Sequence, residues 1–189
     1  MSMFDYVATY NDLLPKSTCK KIIKKFEECS EHQQQTYLKD HRSFTEINIM
    51  QHPDWNDIRD EVFRAMQFGL GMYIRDFKID EKSWPEQLGY EQIRIKRYLP
   101  NTEDEFHFHV DVQDYASARR FLAFFFYLND VREGGETAFQ QNRNLDLSKK
   151  IKPEAGKLLI FPPMWTHPHV GLRPISDKKY IMGSYLHYV

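Results

Sequence analysis

The sequence predicts a mostly β protein flanked by N-terminal helices, an α+β chain whose core is an antiparallel barrel or sandwich. Three observations carry this. From residue 86 onward, apolar runs of strand length alternate with turn residues, and no long helical pattern intervenes. Ahead of that, two stretches place apolar residues at helical spacing. Finally, no Gly/Ser-rich or Pro-rich linker and no internal repeat divides the 189 residues, a length suited to one domain with one core. The expected layout is a single domain over 1–189, with a helical buttress and outer strands in 1–85 and the β core in 86–189, the division falling near Pro85.

The first helix is expected after Pro15 and Ser17, both good starter residues, with Cys19, Ile22, Ile23, Phe26 and Cys29 on one face. Lys20, Lys21, Lys24 and Lys25 take the other face, which reads as solvated. A second helix is expected from Asp54 to Ile74, with Ile58, Val62, Ala65, Met66 and Met72 inward. Between them Phe44–Met50 alternates as a strand does, and Gln92–Tyr98 does so more clearly, Ile93 and Ile95 opposing Arg94 and Lys96. Phe121–Leu128 is a continuous apolar run of strand length. Glu136–Phe139, Lys157–Phe161 and Lys179–Tyr188 complete the expected strands.

Lys plus Arg number 26 and Asp plus Glu 27, for a net charge of −1, so no global positive field exists to draw nucleic acid or an anionic membrane. No apolar run is long enough to span a bilayer, and Met1–Leu14, which carries Asp5 and Asp12, does not read as a secretion signal. The two cysteines, Cys19 and Cys29, lie nearly three helical turns apart, too far for a disulfide. A reducing cytoplasm is the expected location.

The chemistry is concentrated in Phe106-His107-Phe108-His109-Val110-Asp111. On an extended strand His109 and Asp111 leave from the same face and can reach one metal ion. An imidazole and a carboxylate suit a divalent iron, and a second histidine would complete a two-histidine, one-carboxylate triad with coordination positions left open. Candidates for that histidine are His167 and His169, on the same face of the extended segment after Phe161-Pro162-Pro163. His107, also on the face of His109, is left out of the site.

Taken in order, these residues resemble the Fe(II)/2-oxoglutarate-dependent dioxygenases, and within them the prolyl 4-hydroxylase-like group, over Gln92–Tyr188. In that family a strand ending in tyrosine precedes an aromatic and the His-x-Asp pair, as do Tyr98, Phe106, His109 and Asp111. An arginine then opens an apolar strand ending Tyr-Leu, followed by an acidic Gly-Gly-Glu-Thr turn, matching Arg120, Tyr127-Leu128-Asn129-Asp130 and Glu133-Gly134-Gly135-Glu136-Thr137. A Gly-to-Phe-Pro strand follows at Gly156–Pro162. The distal histidine then stands in a His-x-Gly setting ten residues before a lysine, as do His169, Gly171 and Lys179, which favours His169 over His167 as the third ligand.

The resemblance implies a double-stranded β-helix, or jelly-roll, core that binds Fe(II), 2-oxoglutarate and dioxygen, with ascorbate as an accessory reductant. The implied reaction couples decarboxylation of 2-oxoglutarate, to succinate and CO2, to hydroxylation of a substrate, foremost a prolyl residue in a peptide or protein. His109, Asp111 and His169 are then the catalytic metal ligands. Lys179 with Tyr127 is assigned to the far carboxylate of 2-oxoglutarate, Tyr98 to its chelating end, and Tyr185 to the same pocket, where the family usually has tryptophan. Ala123 stands where prolyl hydroxylases commonly carry threonine, and Asp177 where glycine is usual before the lysine.

Substrate contacts are expected from the less regular segments Asp40–Ser43, Leu99–Glu105 and Asn142–Lys149, within a polar stretch Gln140–Pro153 that carries Arg143, Asp146, Lys149 and Lys150. The competing readings are an oxygenase of a small molecule, another side chain or a nucleic acid base, and a metal-binding β-barrel without turnover. The lack of a basic stripe weighs against nucleic acid. Oligomeric state is not legible.

Overall fold

A computed structural model describes residues 6–140 and 149–189. Asp5, Arg143 and Asp146, named above, lie outside the described residues. Twelve strands and two α-helices are present among them: β1 Ala8–Tyr10, α1 Lys16–Glu28, β2 Gln34–Leu38, β3 Arg42–Asn48, α2 Asn56–Asp76, β4 Leu88–Tyr90, β5 Arg94–Tyr98, β6 Glu105–His109, β7 Arg120–Tyr127, β8 Thr137–Phe139, β9 Lys149–Ile151, β10 Leu158–Phe161, β11 His169–Gly171 and β12 Lys179–Tyr188. No helix among the described residues is long and apolar enough to cross a membrane. Both cysteines are free thiols.

All the strand pairings are antiparallel, in the order β1-β10-β7-β12-β5-β3-β6-β11-β8-β9, with β2 added to β3 and β4 to β12. The sheet curls on itself into the mostly β jelly roll expected from the sequence. β3 sits between β5 and β6 near the middle of the order, so residues far apart in sequence share the site.

Two apolar clusters explain the elements. Alternate residues of β7, Leu122, Phe124 and Phe126, join Ile22 and Phe26 of α1 and Ile58, Val62, Met66 and Tyr73 of α2 on the helical side. Ala123 and Tyr127 point the other way and pack with Phe139, Leu159 and Phe161 inside the roll. A strand buried on both faces has no polar side to show, which is why 121–128 reads as a continuous apolar run. Two amphipathic helices covering one face of a curled sheet leave the opposite, concave face free for a site.

The turn that delivers β8 to that face depends on glycine. Gly134 has φ +74°, and a Cβ there would meet the Arg173 carbonyl oxygen at 2.4 Å. Gly134→Ala is therefore strained both by its own backbone and by its neighbour. The expected cost is about 1–3 kcal/mol, read as a lowered urea midpoint with an unchanged slope. In the facing connection between β11 and β12, Asp177 keeps φ negative and ties the turn by accepting from the Ser176 hydroxyl at 2.6 Å and Arg132 Nε at 3.2 Å, so a non-glycine residue is accommodated.

Candidate active site

β6 and β11 pair with His169 opposite His109, which brings two imidazoles from separate parts of the chain side by side, ring centroids 4.3 Å apart. Asp111 follows β6 directly. Its backbone is fixed by donation of its N–H to the Pro163 carbonyl at 3.0 Å and by acceptance at its own carbonyl from Arg120 Nη1, also at 3.0 Å. Donor atoms of His109, Asp111 and His169 all lie within 4.8 Å of one another and could hold a metal ion.

The protonation pattern favours a cation there. His109 Nδ1 lies 2.6 Å from the His107 carbonyl and His169 Nδ1 lies 3.1 Å from the His167 carbonyl. A carbonyl only accepts, so in the neutral rings the proton sits on Nδ1 and each Nε2 carries a lone pair. Those Nε2 atoms face Asp111, at 3.4 Å from Oδ1 and 3.5 Å from Oδ2. Asp111 Oδ2 is buried with no hydrogen-bond donor, although Tyr185 donates to Oδ1 at 2.8 Å. Two lone pairs and an orphaned carboxylate oxygen converging on one point are the donor set of a divalent metal with free positions beyond it. His167 turns its Nδ1 to the Thr166 hydroxyl at 2.8 Å and lies outside this group, and His107 faces Glu105 at 3.0 Å. A second cluster, Cys29, His32 and Asp54, already has a cation, since Lys25 Nζ lies 2.9 Å from the Asp54 carboxylate.

Burial pushes the His169 pKa down to about 4, with Asp111 opposing. Burial alone would raise Asp111, but the His169 and His109 imidazoles and the Tyr185 hydroxyl outweigh it and hold the carboxyl at about 2. The unfolded chain therefore binds more protons than the folded one from about pH 6.5 down to about pH 4 through His169. The metal-free protein should thus be most stable above that window and lose up to about 3 kcal/mol as pH falls through it. Urea titrations at intervals of pH check this, and His169→Gln should flatten the slope.

Two voids flank the triad. An open cleft of ≈ 620 Å³ is lined by His41, Arg42, Phe44, Glu46, Arg94, Lys96, Phe106, His109, Asp111 and Arg120, among others. A smaller inner pocket is lined by the triad with Lys96, Tyr98, Thr137, Lys179 and Tyr185, among others. Lys179 is 2% exposed, yet no carboxylate among the described residues pairs with its ammonium, which lies 5.2 Å from the centre of the Tyr98 ring. Tyr127 donates its hydroxyl to Thr137 Oγ1 at 2.7 Å, so Thr137 stands between Tyr127 and the pocket.

Sequence reasoning passed over three features. Thr137 was visible only as the end of a turn motif. Arg120 clamps Glu91 through two bonds, at 2.7 and 2.9 Å, lies 4.2 Å from the Tyr185 ring centre and reaches the Asp111 carbonyl, joining four residues that only the fold brings together. Apart from Asp111, the cleft wall formed by 110–117 was also missed, whereas 99–105 supplies no residue to the cleft. Instead Asp104 is buried and braces the strand ends, accepting from the Ser43 hydroxyl at 2.6 Å and the Leu99 N–H at 2.9 Å. Of the segment 40–43, His41 and Arg42 do line the cleft.

A jelly roll carrying a buried two-imidazole, one-carboxylate cluster beside an open cleft belongs structurally with the non-haem metal oxygenases. The family model of the 2OG-Fe(II) oxygenase superfamily matches residues 93–187, half of the chain, and the protein belongs to that family. It is accordingly an Fe(II)- and 2-oxoglutarate-dependent oxygenase that consumes dioxygen.

Its fold is similar to that of the collagen prolyl hydroxylase of Paramecium bursaria Chlorella virus-1 in complex with 2OG, at 20% identity over 97% of each chain and a TM-score of 0.73. It is also similar to a prolyl-4-hydroxylase of Pseudomonas putida, at 15% identity over 97% of this chain and 92% of that one, TM-score 0.67. A third is a prolyl hydroxylase of Trichoplax adhaerens bound to a peptide of the hypoxia inducible factor oxygen degradation domain, at 15% identity over 96% and 83% of the two chains, TM-score 0.70. No curated protein matches the chain significantly.

Proposed function

We propose that the chain hydroxylates a prolyl residue of a peptide or protein, with iron held by His109, Asp111 and His169 and the far carboxylate of 2-oxoglutarate held by Lys179. The observation that carries this reading is the position of the triad between a buried, unpaired lysine on one side and an open cleft on the other. The similarity of the fold to those of prolyl hydroxylases, one of them bound to a peptide, favours prolyl in peptide over other substrates.

When bound, iron and 2-oxoglutarate supply the oxidising chemistry, yielding succinate and CO2 and passing oxygen to the substrate. The chain's part is placement. β6 and β11 fix the two imidazoles, and the carbonyls of His107 and His167 set their tautomers. Tyr185 and Arg120 orient Asp111, so Tyr185 serves the ligand as well as lining the inner pocket. Lys179 offers a charge-assisted contact to the far carboxylate, with Thr137 supplying a hydroxyl from β8, whereas Ala123 on β7 has none to offer. Tyr127 acts through Thr137, and the Tyr98 ring walls the pocket beside Lys179.

Tyr185→Phe removes one hydrogen bond to a ligand and nothing else of size. Iron affinity, measured by competition with a chelator, is expected to fall about 10–100-fold. An unchanged iron affinity with a raised KM for 2-oxoglutarate would instead assign Tyr185 to the cosubstrate alone. The prolyl reading is tested with proline-containing peptides, Fe(II), 2-oxoglutarate and isotopic dioxygen. Succinate formed in step with label on a prolyl residue is expected. Label on another residue type, or succinate formed equally with the matching alanine peptides, would contradict it.

A further inference from the structure

We propose that Arg42 and Lys96 form an anion subsite in the open cleft, and that the substrate presents a carboxylate to it. The inference rests on the reading of this cleft as the substrate side of the metal. Along β3 the residues Arg42, Phe44 and Glu46 fall on one face, and so do Arg94 and Lys96 along β5. The strand registers set Glu46 opposite Lys96 and Arg42 opposite Phe106 of β6, so all six line the same cleft.

The pairing of charges there is uneven. Glu46 is taken by Arg94 at 3.2 Å and Glu91 by Arg120 at 2.7 Å. Asp111 faces the two imidazoles, and Asp114 accepts from the Ser117 hydroxyl at 2.7 Å. Every acid on the cleft wall is thus engaged. Lys96 and Arg42 are the cations left over: neither makes an ion pair or hydrogen bond with the described residues. Instead Lys96 Nζ lies 4.6 Å from the Phe44 ring centre and 5.5 Å from that of Phe106, and Arg42 Cζ lies 5.8 Å from the Phe106 ring from its own strand.

Ring faces attract a cation but do not neutralise it, and a partly buried ammonium without a counter-ion is costly. Burial holds the Lys96 pKa below the usual lysine range, against the pull of Glu46 and Asp111. An incoming carboxylate would relieve that cost and bridge both cations. Its distance from the chemistry is set by one ring: Phe106, which both cations touch, stacks on His109 at 3.6 Å between centroids and 8° between planes. Lys96 lines both voids, but Arg42 lines the open cleft and not the inner pocket, so an anion that bridges the two lies on the substrate side and not with 2-oxoglutarate. The carboxylate has two possible sources, an Asp or Glu side chain near the target residue of a peptide, or the α-carboxylate of a free amino acid.

The test is binding by calorimetry to the anaerobic protein loaded with Fe(II) and 2-oxoglutarate. The probes are peptides with Glu or Gln at successive positions around a central proline, the same peptides with alanine at the centre, and free proline against prolinamide. For one source or the other, the wild type is expected to bind the carboxylate member at least about tenfold more tightly than its amide, the scale of one charge-assisted contact. The ratio should fall towards one in Lys96→Met and in Arg42→Gln, with 2-oxoglutarate affinity unchanged in Arg42→Gln, whose side chain lies outside the inner pocket. Arg42 is exposed, so its variant keeps the test valid even where Lys96→Met folds poorly.

A Glu preference that persists with alanine at the centre would sustain the subsite while removing the prolyl assignment. Equal binding of every acid and amide pair, a preference untouched by both substitutions, or a loss confined to 2-oxoglutarate affinity would overturn the subsite.

Discussion

Asp111→Ala is expected to leave a folded protein with no measurable iron binding and no turnover. The carboxylate contributes one metal donor and is also the group towards which both imidazole Nε2 atoms point. Without it two neutral imidazoles remain, a donor pair with no charge to offset that of a divalent ion. The fold should tolerate the loss, because Asp111 is held through its backbone, by Pro163 and Arg120, and its Oδ2 bonds to nothing in the protein. Circular dichroism and metal analysis after dialysis against Fe(II) check the two halves of the statement. Iron retained at one equivalent would mean that the metal sits elsewhere.

Lys179→Met should weaken 2-oxoglutarate binding by about 30-fold or more, taking about 2–5 kcal/mol as the cost of truncating one partner of a buried charge pair. Its pH dependence separates this from a packing effect. Burial lowers the Lys179 pKa to about 7, with Glu136 opposing, whereas a carboxylate alongside would raise it again. Below about pH 7 the free protein already carries the proton, so affinity is level there. Above it the proton must be regained on binding, and affinity should fall roughly tenfold per pH unit. Calorimetry at pH 8 in buffers of different ionisation enthalpy should register proton uptake approaching one equivalent, absent in Lys179→Met. The sign reverses for stability: a lysine whose folded pKa is depressed favours the unfolded chain at lower pH. Lys179→Met should therefore melt no lower than the ligand-free wild type at pH 6.

Much of this was legible in the sequence wherever a signal is local. β7 and β10 announce themselves because strands buried on two faces are apolar almost throughout, and α1 and α2 because one face of each packs on the sheet. His109 and Asp111 share a strand end, so their spacing alone suggests a shared ligand. The missing elements lack such a signal. β1, β4 and β9 are three residues long, and β2, QQTYL, is polar and largely exposed. Lys96 is the instructive residue. Its alternation with Ile95 is read correctly, but a polar face ordinarily means solvent, and here the curl of the sheet turns that face into the cleft beside the metal. Thr137 and the Arg120–Glu91 clamp depend on sheet register and loop closure, which spacing along the chain does not encode.

The central claim is a single site formed by iron, 2-oxoglutarate, the triad and Lys179. The most direct measurement is an anaerobic titration of the purified protein with Fe(II) and 2-oxoglutarate, following the weak visible charge-transfer band of the chelate. It should be run on the wild type and on His109→Ala, His167→Ala, His169→Ala and Lys179→Ala. The account predicts a band in the wild type and in His167→Ala, none in His109→Ala or His169→Ala, and one in Lys179→Ala only at much higher 2-oxoglutarate. A wild-type protein that binds iron without developing the band, or a band lost with His167 and kept without His169, would contradict it.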